Sequence, residues 1–136
     1  MAALLTVHAS RYLAVAVIVG NAALALWAFR AHVGGRRTLG AAFWTVLLAV
    51  AALTVVQAAS GAVLALGGAR PRTALHFLYG GLVVAGAVAQ VGLRPGGFLR
   101  PALHNPGAAG PSAFALLCLT QAALVGRAFT TGAWGR

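Results

Sequence analysis

Residues 39–66 read LGAAFWTVLLAVAALTVVQAASGAVLAL, an apolar run without a single charged side chain. A hydrocarbon layer about 30 Å thick takes roughly 20 helical residues to cross, so a run of this length reads as a membrane-spanning helix. The pattern recurs on both sides of it, over residues 3–29, 74–93 and 112–130. The interruptions carry arginine, glycine and proline: Arg30 to Arg37 with Gly34 and Gly35, Gly67 to Arg72, and Arg94 to Pro111 with its four intervening glycines and three further prolines at 95, 101 and 106. Two short connections and four spans predict an all-α, integral membrane four-helix up-down-up-down bundle, one domain over residues 1–136. A secretory signal peptide is the rival reading of the first stretch, but its first basic residue, Arg11, comes after the apolar run has begun. The first stretch is therefore expected to be a transmembrane helix.

The charge pattern narrows the chemistry. All ten basic residues are arginine, and aspartate and glutamate are absent, giving a formal charge of +10. Any counter-ion must come from outside the chain: lipid phosphate, the carboxylates of a bound cofactor, or an acidic neighbouring subunit. Carboxylate nucleophiles, carboxylate general acids, Ca²⁺ or Mg²⁺ cages and aspartate-supported catalytic triads are excluded within this chain. A small transporter or channel is disfavoured for the same reason, since ion coupling usually uses intramembrane carboxylates. Nucleic acid is not an expected partner, because the arginines sit at span boundaries and form no soluble basic face. No glycine-rich stretch is followed by the lysine of a phosphate-binding loop. Cys118 is the single cysteine and reads as a packing residue of the fourth span.

Four spans put both termini on one side, with the connection between the second and third. The arginines then divide evenly: Arg30, Arg36, Arg37, Arg94 and Arg100 against Arg11, Arg70, Arg72, Arg127 and Arg136. The basic cluster after the first helix places the termini outside the cytoplasm. Trp27, Trp44 and Trp134 lie near span ends, as an interfacial aromatic belt would.

The polar residues inside the spans point to one end. His8 opens the first span and His76 the third; those spans run parallel in an up-down bundle, so both imidazoles are expected at one membrane face. A histidine pair from two helices is the arrangement that supplies both axial ligands of a b-type haem. Gly80 stands one turn after His76, where a missing side chain lets a flat macrocycle approach the backbone. Tyr12 stands one turn after His8. Gln57, Ser60, Gly61, Arg127 and Thr130 come from the C-terminal halves of the second and fourth spans and are expected near the same end. Arg11, Arg70, Arg72 and Arg127 are candidates to pair with haem propionates. The competing explanation is ordinary solvation of a histidine at a wet helix end. His32 and His104 sit among glycine and proline in loops and lack a rigid platform for coordination. Asn21, Gln57 and Gln121 lie near helix middles and are expected to face inward, hydrogen bonding between helices.

At His8-Ala-Ser-Arg11-Tyr12 and His76-Phe-Leu-Tyr-Gly80 the chain resembles small bacterial four-span membrane proteins of the b-type cytochrome kind, and one half of the haem A synthase architecture. The resemblance implies a bacterial cytoplasmic membrane, haem b ligated by His8 and His76, and a role in electron transfer or haem handling with no catalysis by this chain alone. It departs from haem A synthase in having one bundle and no acidic residue. The alternative expectation is a cofactor-free accessory subunit, its arginines meeting acidic residues of a larger membrane complex or anionic lipid.

Overall fold

The computed structural model describes residues 2–71, 73–105 and 109–133, and these are helical with short connections. The elements are α1 (Ala2–His8), α2 (Arg11–Val33), α3 (Ala41–Leu66), α4 (Ala74–Gly92), a 3₁₀ turn (Arg100–Ala102) and α5 (Pro111–Ala133). Four helical stretches are long and apolar enough to cross a membrane: Ala3–Val33, Ala41–Leu66, Ala74–Gly92 and Pro111–Gly132.

The first stretch differs from an unbroken helix. It is interrupted at Ala9 and Ser10, where Ser10 adopts an extended backbone and its Oγ accepts a hydrogen bond from the Leu13 amide at 3.3 Å. Serine competes with the helix by offering its own side-chain oxygen to the next turn's orphan amides, which makes it an N-cap. His8 is thereby the last residue of α1 instead of an interior one.

α2 and α3 stop in the same way. Each runs into a Gly-Gly pair whose second member takes a positive φ, 72° at Gly35 and 89° at Gly68. The amides of Arg36 and Ala69 reach back to the carbonyls of Ala31 and Leu64, at 2.9 and 3.0 Å. This six-to-one closure needs a left-handed residue, which glycine adopts without a Cβ penalty.

α2 packs against α3 and α5, α4 packs against α3 and α5, and α1 lies on α3. Trp27 meets Phe43, Gly20 meets Val50 and His8 meets Gln57, so residue numbers fall along α3 as they rise through α1 and α2. The same inverse order joins α4 to α5, through His76 with Ala128, Val83 with Gln121, and Gln90 with Cys118.

Large apolar side chains lie on the surface as well as in the core, and several uncharged polar residues are buried. Val19, Val55, Leu66 and Leu116 are exposed, whereas Asn21, Thr54, Ser60, Gln90 and Gln121 are buried. That distribution suits a helix bundle whose surroundings are as apolar as its side chains. Close approach is achieved with small residues: a Cβ on Gly20 would stand 2.7 Å from Val50 Cγ2, and Ala14, Ala28 and Ala51 are buried. Gly86 lies against the Gln121 amide, while Gly80 and Gly81 contact nothing that a Cβ would meet within 4 Å. Toward the N-termini of α3 and α5 the core is aromatic. Phe43 and Trp44 both meet Phe114 edge-on, at centroid distances of 6.2 and 4.9 Å, and Trp44 Nε1 donates to the Leu39 carbonyl at 3.0 Å. Trp27 is exposed at this end; Trp134 lies outside the described residues.

Candidate functional site

The opposite end holds the histidines. His8, closing α1, and His76, near the start of α4, come together with ring centroids 5.7 Å apart and planes at 85°. Their residues are 68 apart in number, 8 against 76, so only the packing of four helices makes them neighbours.

Each ring is held by the same device. His8 Nδ1 lies 3.0 Å from the Gln57 carbonyl oxygen on α3, and His76 Nδ1 lies 3.0 Å from the Ala128 carbonyl oxygen on α5. A carbonyl only accepts, so Nδ1 must carry the proton in both rings, and in the neutral imidazole the lone pair is left on Nε2. That is the second interaction by which ligand histidines are usually oriented. Four residues beyond each accepting carbonyl stands a glycine, Gly61 after Gln57 and Gly132 after Ala128. A Cβ on Gly132 would come within 2.8 Å of His76 Cε1, and a Cβ on Gly61 would overlap the His8 ring. Both imidazoles therefore seat in glycine notches one turn past their hydrogen-bond acceptor.

Further contacts lie outward and inward of the pair. Arg11 places its guanidinium 5.0 Å from the Tyr12 ring centre and donates to Tyr12 Oη at 3.0 Å; Arg127 on α5 lies 5.6 Å from the centre of Tyr79 on α4. Such contacts let a cation without an acidic partner use an aromatic face. Deeper in the bundle Gln90 Nε2 donates to Asn21 Oδ1 at 2.8 Å and lies 3.4 Å from Cys118 Sγ.

The other expected site residues are placed as follows. Arg11 and Arg127 are exposed near the histidine end, by their positions next to the α1–α2 break and to Ala128. Arg70 is exposed and donates to the carbonyls of Ala65 and Ala69 at 3.2 and 3.5 Å, closing the end of α3. Arg72 lies outside the described residues. Gly80 follows His76 by one turn, but nothing within the chain demands a glycine there. Gln57 belongs to the histidine layer and not to the helix middle: its side-chain Nε2 returns a 3.4 Å hydrogen bond to the His8 carbonyl, and Ser60 Oγ donates to the Gln57 carbonyl at 2.8 Å. Gln121 is buried as expected and donates to the Val83 carbonyl at 2.9 Å. His32 and His104 are exposed, but only His104 lies in a connection; His32, expected in a loop, belongs to the last turn of α2, which runs on to Val33.

The inspection of the sequence missed two elements of the site. Gln90, 2% exposed and bonded across the bundle to Asn21, was overlooked as an inward amide although it is the only other glutamine of the spans. Gly132, the counterpart of Gly61, was missed because its signal is a separation: each notch glycine closes a four-residue step that has meaning only once the accepting carbonyl is known.

Two histidines whose Nδ1 atoms are each taken up by a main-chain carbonyl are the donor type that a six-coordinate haem b uses. No larger cluster of metal-ligating side chains occurs among the described residues. Comparison of the chain with protein-family models, with curated proteins and with solved structures produced no match, so the site is read from its own geometry.

Proposed function

We propose that this chain is an integral membrane protein, an up-down-up-down bundle of four spans, that binds haem b between His8 and His76 and serves in electron transfer or haem handling. The observation that carries the reading is the histidine pair itself: 5.7 Å between ring centres, with each Nδ1 committed to a main-chain carbonyl at 3.0 Å. Solvation at a helix end accounts for one polar imidazole, but it gives no reason for two rings on separate helices to converge in paired glycine notches.

The chain's own residues would act in three ways. The carbonyls of Gln57 and Ala128 fix the tautomer and aim Nε2 of each ring. Gly61 and Gly132 leave room for the imidazoles to lie flat against α3 and α5. Arg11 and Arg127, which have no acidic partner anywhere in the chain, offer cations at the same end for carboxylate groups of the ligand. Bound haem supplies the one-electron couple. With no carboxylate in the spans to carry protons, the protein is suited to passing electrons to a partner and not to transforming a substrate. The arginine cluster after the first span favours termini outside the cytoplasm.

The test is an absorption spectrum of protein purified in mild detergent after haem-replete expression, oxidised and then reduced with dithionite. A Soret band with a sharp α band of six-coordinate b-type haem is expected, and His8→Ala and His76→Ala should each abolish it. A colourless wild-type protein that co-purifies with other membrane polypeptides would replace this reading with that of an accessory subunit. A spectrum unchanged in His76→Ala would remove the axial assignment.

A further inference from the structure

A second basic site lies at the other end of the bundle. Arg37 and Thr38, from the connection between α2 and α3, and Arg100, from the connection between α4 and α5, line one small recess of about 40 Å³. Leu39, Trp44, Pro95, Ala109 and Pro111 complete its wall. We infer that this recess binds a phosphate group, carried either by an anionic lipid headgroup or by a free phosphate.

Trp44 and Arg100 are held in place within the chain, while Arg37 and Thr38 are exposed. Trp44 is anchored by its Nε1 bond to Leu39 and by its edge contact with Phe114 at 4.9 Å. Arg100 is tied by Nη1 to the Leu93 carbonyl at 3.3 Å, which leaves its other donors uncommitted among the described residues. The first turn of α5, starting at Pro111, opens onto the same recess, and the positive end of a 23-residue helix adds to the field there. Two arginines and a threonine around one concavity carry the donor types that phosphate oxygens take, and arginine's planar fork is the suited donor among them. No carboxylate of the chain can compete, because the chain has none. The same connection also carries Arg94, whose Nε is buried with no hydrogen-bond partner among the described residues.

The recess is separate from the histidine site. Trp44 and Gln57 both lie on α3, thirteen residues apart in number, which is about 20 Å of helix at 1.5 Å per residue. Carboxylates of a ligand held at the histidines would not reach Arg37 and Arg100, so this end needs an anion of its own.

The test uses the full chain purified in detergent and compares wild type, Arg37→Gln/Arg100→Gln, and Arg36→Gln as a control whose side chain does not line the recess. Each is titrated with inorganic phosphate, followed by its melting temperature. In parallel, each is exchanged into nanodiscs of phosphatidylcholine with or without phosphatidylglycerol, and the lipid retained after delipidation is counted by native mass spectrometry. Loss of each charge-assisted hydrogen bond should weaken binding by about tenfold. Phosphatidylglycerol retained by wild type and Arg36→Gln but lost from the double variant identifies a lipid headgroup; stabilisation by inorganic phosphate with the same variant dependence identifies free phosphate. Arg37→Lys/Arg100→Lys keeps the charge and should bind with intermediate strength, which separates loss of the site from loss of the fold. Equal binding by wild type and the double variant in both arms, or an equal loss in Arg36→Gln, overturns the inference.

Discussion

At the scale of single residues, the two glycines opposite the histidines make the sharpest claim. A methyl group at Gly61 or Gly132 occupies space now held by an imidazole ring. The ring must swing away and give up its bond to Gln57 or Ala128, or the helices must part; overpacking of this kind typically costs about 1–3 kcal/mol. Gly61→Ala and Gly132→Ala are therefore each expected to lower haem content by about tenfold, read as the reduced-minus-oxidised difference per mole of protein. Gly80→Ala offers the contrast, since its Cβ meets no protein atom within 4 Å. The haem-free Gly80→Ala protein should melt within about 0.5 kcal/mol of wild type. A melt as low as that of the other two alanine variants would mean that the glycine notches are not special.

At the scale of elements, the break between α1 and α2 decides where His8 points. Ser10 starts α2 afresh, and the seven residues of α1 fold onto α3 on their own axis. An uninterrupted helix from residue 3 to 33 would carry His8 about its own axis with α2, without the independent adjustment that brings it to the Gln57 carbonyl. Losing an N-cap side chain costs about 1 kcal/mol. Ser10→Ala should lower the melting temperature and weaken haem retention together, whereas Ser10→Asn, which keeps an acceptor oxygen, should preserve both. Weakened haem retention in Ser10→Asn equal to that in Ser10→Ala would show that the cap does not set the position of α1.

At the scale of the whole molecule, the surface is apolar and the interior is where amides and hydroxyls gather. Leu66 at 89% exposed and Leu116 at 68% would be costly in water in such number and company, but not in a bilayer. The chain is expected to stay with the membrane pellet after alkaline carbonate extraction and to enter solution only with detergent; release by carbonate alone would set aside the integral membrane reading. The four apolar spans were legible in the sequence because chain length against hydrocarbon thickness is a local matter, countable along residues 39–66 and their counterparts, whereas the break that divides the first span into α1 and α2 was not. The absence of every carboxylate was equally plain, and it determined that counter-ions must be external. Tertiary structure decided which polar groups meet: His8 with His76 and Asn21 with Gln90. Each pair joins residues more than sixty positions apart, and the angle at which one helix settles on another depends on where a glycine lets two backbones close, a property of pairs of helices that no single stretch of sequence contains.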